Sequence, residues 1–182
     1  MQFTQTGIDG AWVIDPSPHL DDRGYFQRVW CSQEFAAHDI DFVPVQANMG
    51  LSRIKGTLRG MHFQDASAPE IKLVRCTRGS IYDVVLDRRP DSPTYGRWFG
   101  TELSATNGRA LLVPALCAHG YQTLEDESEI HYLTSAFYTP SAERGLRFDD
   151  PVFAIRWPMP ATALSVNDRG WPLTVRPEAQ ER

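Results

Sequence analysis

"KLVRCTRGSIYDVVLD", residues 72–87, holds two β-favouring runs separated by the turn signal "TRGS". The second run, "SIYDVVLD" (80–87), is rich in Ile, Tyr and Val, which fit a pleated, half-buried surface. The same texture returns in "ALLVP" (110–114) and "EIHYLTSAFY" (129–138). Between such runs the punctuation is dense: "DDRG" (21–24), "RIKG" (53–56), "RPDSP" (89–93), "TNGR" (106–109) and "YTPSAERG" (138–145). Many short strands with regular turn signals predict an all-β sandwich or barrel, and among these a jelly roll with a few short peripheral helices. Strands alternating with long helical patterns are absent, which disfavours an α/β fold. One helix is expected at "SQEFAAHDI" (32–40), capped by Ser32, with Phe35, Ala36 and Ile40 on its apolar side.

Upstream of the opening stretch lies "GTLRGMHFQ" (56–64), where Arg59 and His62 interrupt an apolar run, and Lys72 heads the next one. A buried strand ordinarily avoids such groups, because a stranded charge or unpaired imidazole costs several kcal/mol. In a jelly roll, inward positions alternate along each strand and can line a ligand cavity, where polar groups meet substrate, water and one another. Simple alternation puts Arg59 and His62 on opposite faces, so a bulge at Gly60 is expected to re-aim one of them. Tyr132 and Tyr138 share parity and face the same cavity in this reading, whereas His131 faces away.

The 182 residues fit one domain, read as 1–175, with "RPEAQER" (176–182) as a polar tail. Hydrophobic residues make up 42% and aromatic ones 11%, enough to fill a core. A formal charge of −5 argues against a nucleic-acid or anionic-membrane surface. No apolar run approaches the roughly 20 residues that span a bilayer. The start "MQFTQTGIDG" lacks a signal-peptide pattern, so a soluble cytoplasmic protein is expected. Cys31, Cys76 and Cys117 are odd in number and scattered, which implies neither a disulfide framework nor a zinc knuckle.

The succession "DDRGYF", "VQAN", "GTLRGMHFQ", "KLVRCTRGSIYDVVLDRRPDSPTYGRW", "VPALCAHGYQTL", "HYLTSAFYTP", "DDP" and the final Trp157-Pro158, Ser165 and Asp168 resembles the dTDP-4-dehydrorhamnose 3,5-epimerase family. The match runs from about Asp21 to Pro172 in consistent order and spacing. The resemblance implies a metal-free and cofactor-free cupin-type jelly roll, a homodimer with exchanged N-terminal strands, acting on a nucleotide-linked 4-keto-6-deoxy sugar. The ketone at C4 of such a sugar acidifies the hydrogens on C3 and C5. Removing one gives an enolate, and returning a proton from the opposite face inverts the carbon. That chemistry needs a base, an acid opposite it and a cation near the ketone oxygen.

In the family pattern His62 is the base, Asp168 the carboxylate behind it, Lys72 the group near the enolate oxygen and Tyr132 the proton donor. Tyr138 matches the aromatic that stacks on the nucleotide base. Arg23, Gln46, Asn48, Arg59 and His119 match positions that bind sugar and diphosphate, and Glu143 is also placed in the substrate shell. Phe26 matches an aromatic near the base that the partner subunit supplies. Two positions depart from the pattern: Arg28 stands where the family commonly has an acid, and Leu133 follows the catalytic tyrosine where a lysine is common. Both are expected to bear on substrate identity, with Arg28 in the ligand shell. Three rivals stand beside this reading. A metal-dependent cupin would need clustered histidines, whereas "GMHFQ" and "CAHG" offer one each. A silent sugar-nucleotide binder would share the fold, and a single-centre 3- or 5-epimerase on another sugar, for example a CDP-linked one, would share the whole constellation.

Overall fold

The inward and outward faces of the expected strands separate cleanly in the computed structural model, which describes residues 1–174. The tail expected at 176–182, and the boundary at 175, lie outside the described residues. In chain order the strands are β1 (Gln2–Gln5), β2 (Trp12–Asp15), β3 (His19–Asp21), β4 (Gly24–Phe26), β5 (Gln46–Ser52), β6 (Leu58–Gln64) and β7 (Lys72–Arg78). They continue as β8 (Ser80–Leu86), β9 (Trp98–Ser104), β10 (Ala110–Val113), β11 (Ala118–Thr123), β12 (Ser128–Thr134) and β13 (Glu143–Gly145). Two short helices complete the fold, α1 (Ser32–Ala36) and α2 (Val166–Gly170).

A six-stranded sheet in the order β1-β2-β10-β7-β12-β5 faces a five-stranded sheet in the order β13-β6-β11-β8-β9, and β3-β4 form a separate hairpin. The pairings are antiparallel, including the one that joins the two halves of the opening stretch to different sheets: β7 pairs with β10 and β12, β8 with β9 and β11. This is the jelly-roll arrangement of two sheets closing over one interior.

Alternation assigns each strand residue its layer. Val74, Cys76, Ile81, Val85, Leu103, Leu111 and Ile130 come from both sheets and meet in the central core. Their sequence neighbours Leu73, Ala110 and Leu112 point out of the six-stranded sheet and pack with Phe35 and Phe42 under α1. Met61, Phe63, Val84 and Leu86 point out of the other sheet and are covered by Leu146 and Phe153. Burial of these side chains, at roughly 1.5–3 kcal/mol each, is what drives the sheets together. Cys76 and Cys117 are free, and burial pushes their thiols up to about 11 and about 12, so they act as small apolar fillers.

The helix at 32–40 is shorter than expected and capped differently. Ser32 is already inside α1, and the capping position falls on Cys31, whose side chain makes no cap bond. A helix of so few residues presents only Phe35 to the core; Ala36 is exposed, and Ile40 is reached by the turn that follows. Near the other end, Ser165 caps α2 by accepting a hydrogen bond from the Asp168 amide at 3.0 Å. The "SVND" run that encodes it has the Ser-x-x-acid spacing of a capping box.

Candidate active site

Where the two sheets diverge, a cavity of about 460 Å³ opens between them. Its five-stranded wall carries Arg59, His62 and Gln64 from β6 and His119 and Tyr121 from β11. Its six-stranded wall carries Gln46 and Asn48 from β5, Lys72 from β7 and Tyr132 from β12. Tyr138 and Glu143 lie at the rim, joined by a 2.7 Å hydrogen bond from the Tyr138 hydroxyl.

Arg59 and His62 reach the same cavity because β6 breaks step at Gly60. Opposite β11, His62 pairs with His119 and Arg59 with Tyr121, so two residues of β6 face the single Gly120. Gly60 has φ +136°, and a Cβ there would lie 2.5 Å from the Cα of Gly120. Only glycine fits that approach.

His62 Nε2 lies 2.5 Å from Asp168 Oδ1, across 106 residues of sequence. The carboxylate is almost enclosed, 4% exposed, while the imidazole is 36% exposed toward the cavity. Burial acts to raise the Asp168 carboxyl. The bond and charge of His62, the Ser165 hydroxyl and the Gly60 amide outweigh it and hold the group below the usual carboxylate range. His62 also borders a second hollow of about 310 Å³, shared with Arg59, Ser165, Asp168 and Trp171.

On the opposite wall the Lys72 ammonium sits 2.9 Å from Glu70. Tyr132 lies on the neighbouring strand, two pairs along from the Thr134–Lys72 register and so on the same face. Burial first, and then the charge of Glu70, push its phenol above the ordinary tyrosine value, with Arg59 acting in the other direction. The phenol is therefore held neutral and able to donate. Arg59 is aimed by bonds to the Ser52 hydroxyl (3.2 Å) and the Leu51 carbonyl (3.1 Å). His119 is tied through Nε2 to the fully enclosed Asp83 at 2.8 Å. Gln46 donates to Asn48 at 3.0 Å and accepts from the Tyr138 amide at 3.2 Å.

The structure thus gathers His62, Asp168, Lys72, Tyr132, Gln46, Asn48, Arg59, His119, Tyr138 and Glu143 around one hollow system. Arg23, Phe26 and Arg28 are not brought to it by their own chain. Arg23 pairs with Asp21 on the exposed β3–β4 hairpin, and Phe26, on the same hairpin, is 74% exposed. Arg28 pairs with Glu34 of α1 at 2.7 Å and, like Arg23 and Phe26, is absent from the lining of its own chain's cavity. Leu133 points away from the cavity and packs against the cluster under α1, because it alternates with Tyr132. Neither departure from the family pattern therefore touches the cavity of its own chain.

Sequence reasoning missed Glu70, Asp83, Gln64 and Tyr121, which also line or back the cavity. Alternation was the available signal: Asp83 shares inward parity with Ile81 and Val85, and Tyr121 with His119. Among the described residues, no three His, Cys, Asp or Glu side chains converge as metal ligands.

A family model described as dTDP-4-dehydrorhamnose 3,5-epimerase matches residues 5–175. The dTDP-4-dehydrorhamnose 3,5-epimerase of Sinorhizobium fredii is 43% identical over 173 residues, covering 94% of this chain and 89% of that one. A dTDP-4-dehydrorhamnose 3-epimerase of Streptomyces niveus is 38% identical over 170 residues, covering 93% and 82%. Among solved structures, the Bacillus anthracis dTDP-4-dehydrorhamnose 3,5-epimerase with TDP and PPi bound superposes with a TM-score of 0.92 at 36% identity, covering 95% and 99%.

Proposed function

The chain belongs to the dTDP-4-dehydrorhamnose 3,5-epimerase family, a family of isomerases, and from that premise we propose that it inverts C3 and C5 of dTDP-4-dehydro-6-deoxyglucose to give dTDP-4-dehydrorhamnose. One observation carries the proposal. His62, backed by Asp168, enters the cavity from one sheet, while Tyr132 and Lys72 enter it from the other.

In the proposed reaction His62 Nε2–H stays bonded to Asp168, and Nδ1 takes the proton from C3 or C5. The electron pair moves onto the C4 oxygen, where the Lys72 ammonium meets the developing charge; such preorganised charge is worth roughly 3–4 kcal/mol. Tyr132 returns a proton to the opposite face of the carbon, and solvent restores both groups. Arg59 and His119 hold sugar and diphosphate, with the arginine fork suited to phosphate oxygens. Gln46, Asn48 and Glu143 line the substrate, and Tyr138 at the rim stacks on the base.

A second reading, inversion at C3 alone, is favoured by the Streptomyces niveus relative named as a 3-epimerase. Incubating a panel of NDP-4-keto-6-deoxy sugars, dTDP- and CDP-linked, in D₂O and following them by NMR tests both. Deuterium at C3 and C5 supports the main reading, deuterium at one carbon the second. No carbon-bound exchange with any sugar leaves only a binding protein. Turnover is expected to be unchanged after chelator treatment.

The working form in this proposal is a homodimer with exchanged N-terminal strands. Leu20, Tyr25 and Phe26 leave an apolar surface on the β3–β4 hairpin, and Leu51, next to Met49 at the cavity's edge, leaves another on the edge strand β5. Edge strands and apolar patches of this kind are ordinarily covered. A partner's hairpin would bring Arg23 and Phe26 to the nucleotide end of the cavity. Three free cysteines fit a reducing, cytoplasmic setting, and no helix among the described residues is long and apolar enough to cross a membrane.

A further inference from the structure

Glu70 is an acid enclosed in the enolate-side wall for which the proposed chemistry has no use. It is 6% exposed, stands two residues before β7 and contacts both sheets. Oε1 lies 2.9 Å from the Lys72 ammonium on the six-stranded side. Oε2 accepts from Gln64 Nε2 at 3.0 Å on the five-stranded side. Gln64 is itself fixed: its Oε1 accepts from the Thr139 amide at 2.7 Å, and its Nε2 also reaches the Ala68 and Phe137 carbonyls. The carboxylate is therefore a rigid anchor rather than a free side chain that happens to meet a lysine.

We propose that Glu70 is a positioning residue, which pins the Lys72 ammonium against the cavity wall and fixes a negative charge on the wall that also carries Tyr132. The inference rests on the epimerase reading above. A lysine ammonium has three protons; Glu70 takes one and orients the remaining two toward the cavity. Without the anchor, a flexible four-carbon stem would sample several rotamers, at a cost in the preorganisation on which enolate stabilisation depends.

The charge of Glu70 has a second consequence. It disfavours the phenolate of Tyr132. The phenol must be protonated for the proposed reaction, so it sets the alkaline limit. The other charged groups on the cavity are otherwise engaged or opposed. His62 is tied to Asp168, His119 to Asp83, Glu143 receives the Tyr138 hydroxyl, and Arg59 draws the phenol the other way.

The test compares Glu70→Gln and Glu70→Asp with the wild type, following initial rates of deuterium wash-in across the alkaline range. With Glu70→Gln the alkaline limb is expected to shift to lower pH than in the wild type, because the charge that disfavours the phenolate is gone. Glu70→Asp, which keeps the charge, is expected to lie between the two. Binding of dTDP should persist in both variants, since the nucleotide end is untouched. Coincident alkaline limbs, or an Asp variant that behaves like the Gln variant, overturn the proposal. A wild type that exchanges no carbon-bound hydrogen would sink the epimerase reading instead. The Tyr132 phenol titration, followed by NMR with labelled tyrosine, then still decides this one: an equal midpoint in wild type and Glu70→Gln overturns it. If Glu70→Gln does not fold, the same titration in Glu70→Asp replaces it, with an unchanged midpoint as the overturning result.

Discussion

At the scale of residues, the site works by giving each ionisable group one partner that settles its role. His62 and His119 are chemically alike and lie opposite each other on β6 and β11, yet His62 is over a third exposed and backed by Asp168, while His119 is enclosed with Asp83. Exposure to the cavity makes the first suitable as a base, while the second is held rigidly in the wall. Replacing His62 by Asn is expected to lower epimerisation by about 10²–10⁴-fold with dTDP binding retained. Near-normal deuterium exchange in that variant would remove His62 from the mechanism. Tyr132 supplies the pH prediction. A proton donor works while protonated, and burial and Glu70 raise this phenol, so activity should persist to above about pH 10, the ordinary tyrosine value, in brief incubations. A Tyr132→Phe variant should lose inversion while His62-dependent deprotonation can still be sought as exchange.

At the scale of elements, two local devices place the chemistry. The bulge at Gly60 turns Arg59 and His62 to one side, which a regular strand would forbid. Gly60→Ala meets both a positive φ and the Gly120 backbone, and is expected to cost about 2–4 kcal/mol and most of the activity. A melting temperature within a degree of wild type would show that the close approach relaxes. The second device is α2, whose cap is Ser165. Ser165→Ala removes the bond to the Asp168 amide, at about 1 kcal/mol, and loosens the carboxylate behind His62. The expected outcome is a fall in kcat with KM nearly unchanged. The same alternation that helps β6 explains Leu133: next to Tyr132 in sequence, it belongs to the opposite face and to the packing under α1.

At the scale of the whole molecule, one chain builds a cavity with one side still lacking residues that the family pattern assigns to it. Arg23 and Phe26 sit on a hairpin that projects from the body, and the outer face of β5 is apolar. Both features fit a dimer in which each hairpin completes its partner's site. Leu51→Arg on the β5 face is expected to shift the protein toward monomer in light-scattering chromatography, and to lower activity together with dTDP affinity. Phe26→Ala should leave more of the dimer intact yet still weaken nucleotide binding. If Leu51→Arg yields an active monomer, the exchanged-strand arrangement is wrong.

The chain's own pattern was enough for the layers of the fold and for part of the cavity, whereas Gln46, Asn48, His119, Glu143 and Asp168 were legible only through the family resemblance. Period-two alternation and turn residues are local properties, so the β runs around "TRGS", the inward Lys72 and Tyr132, and the need for a bulge at Gly60 could be read along the sequence. Three matters depended on tertiary structure. The meeting of His62 with Asp168 across 106 residues depends on how α2 docks. The capture of Arg28 by Glu34 depends on where α1 starts, and the anchoring of Lys72 by Glu70 depends on Gln64 arriving from the other sheet. The physical reason is common to all three. Alternation tells a side chain which face it occupies, but a hydrogen bond needs two groups within about 3 Å, and only the folded packing of separate segments sets that distance.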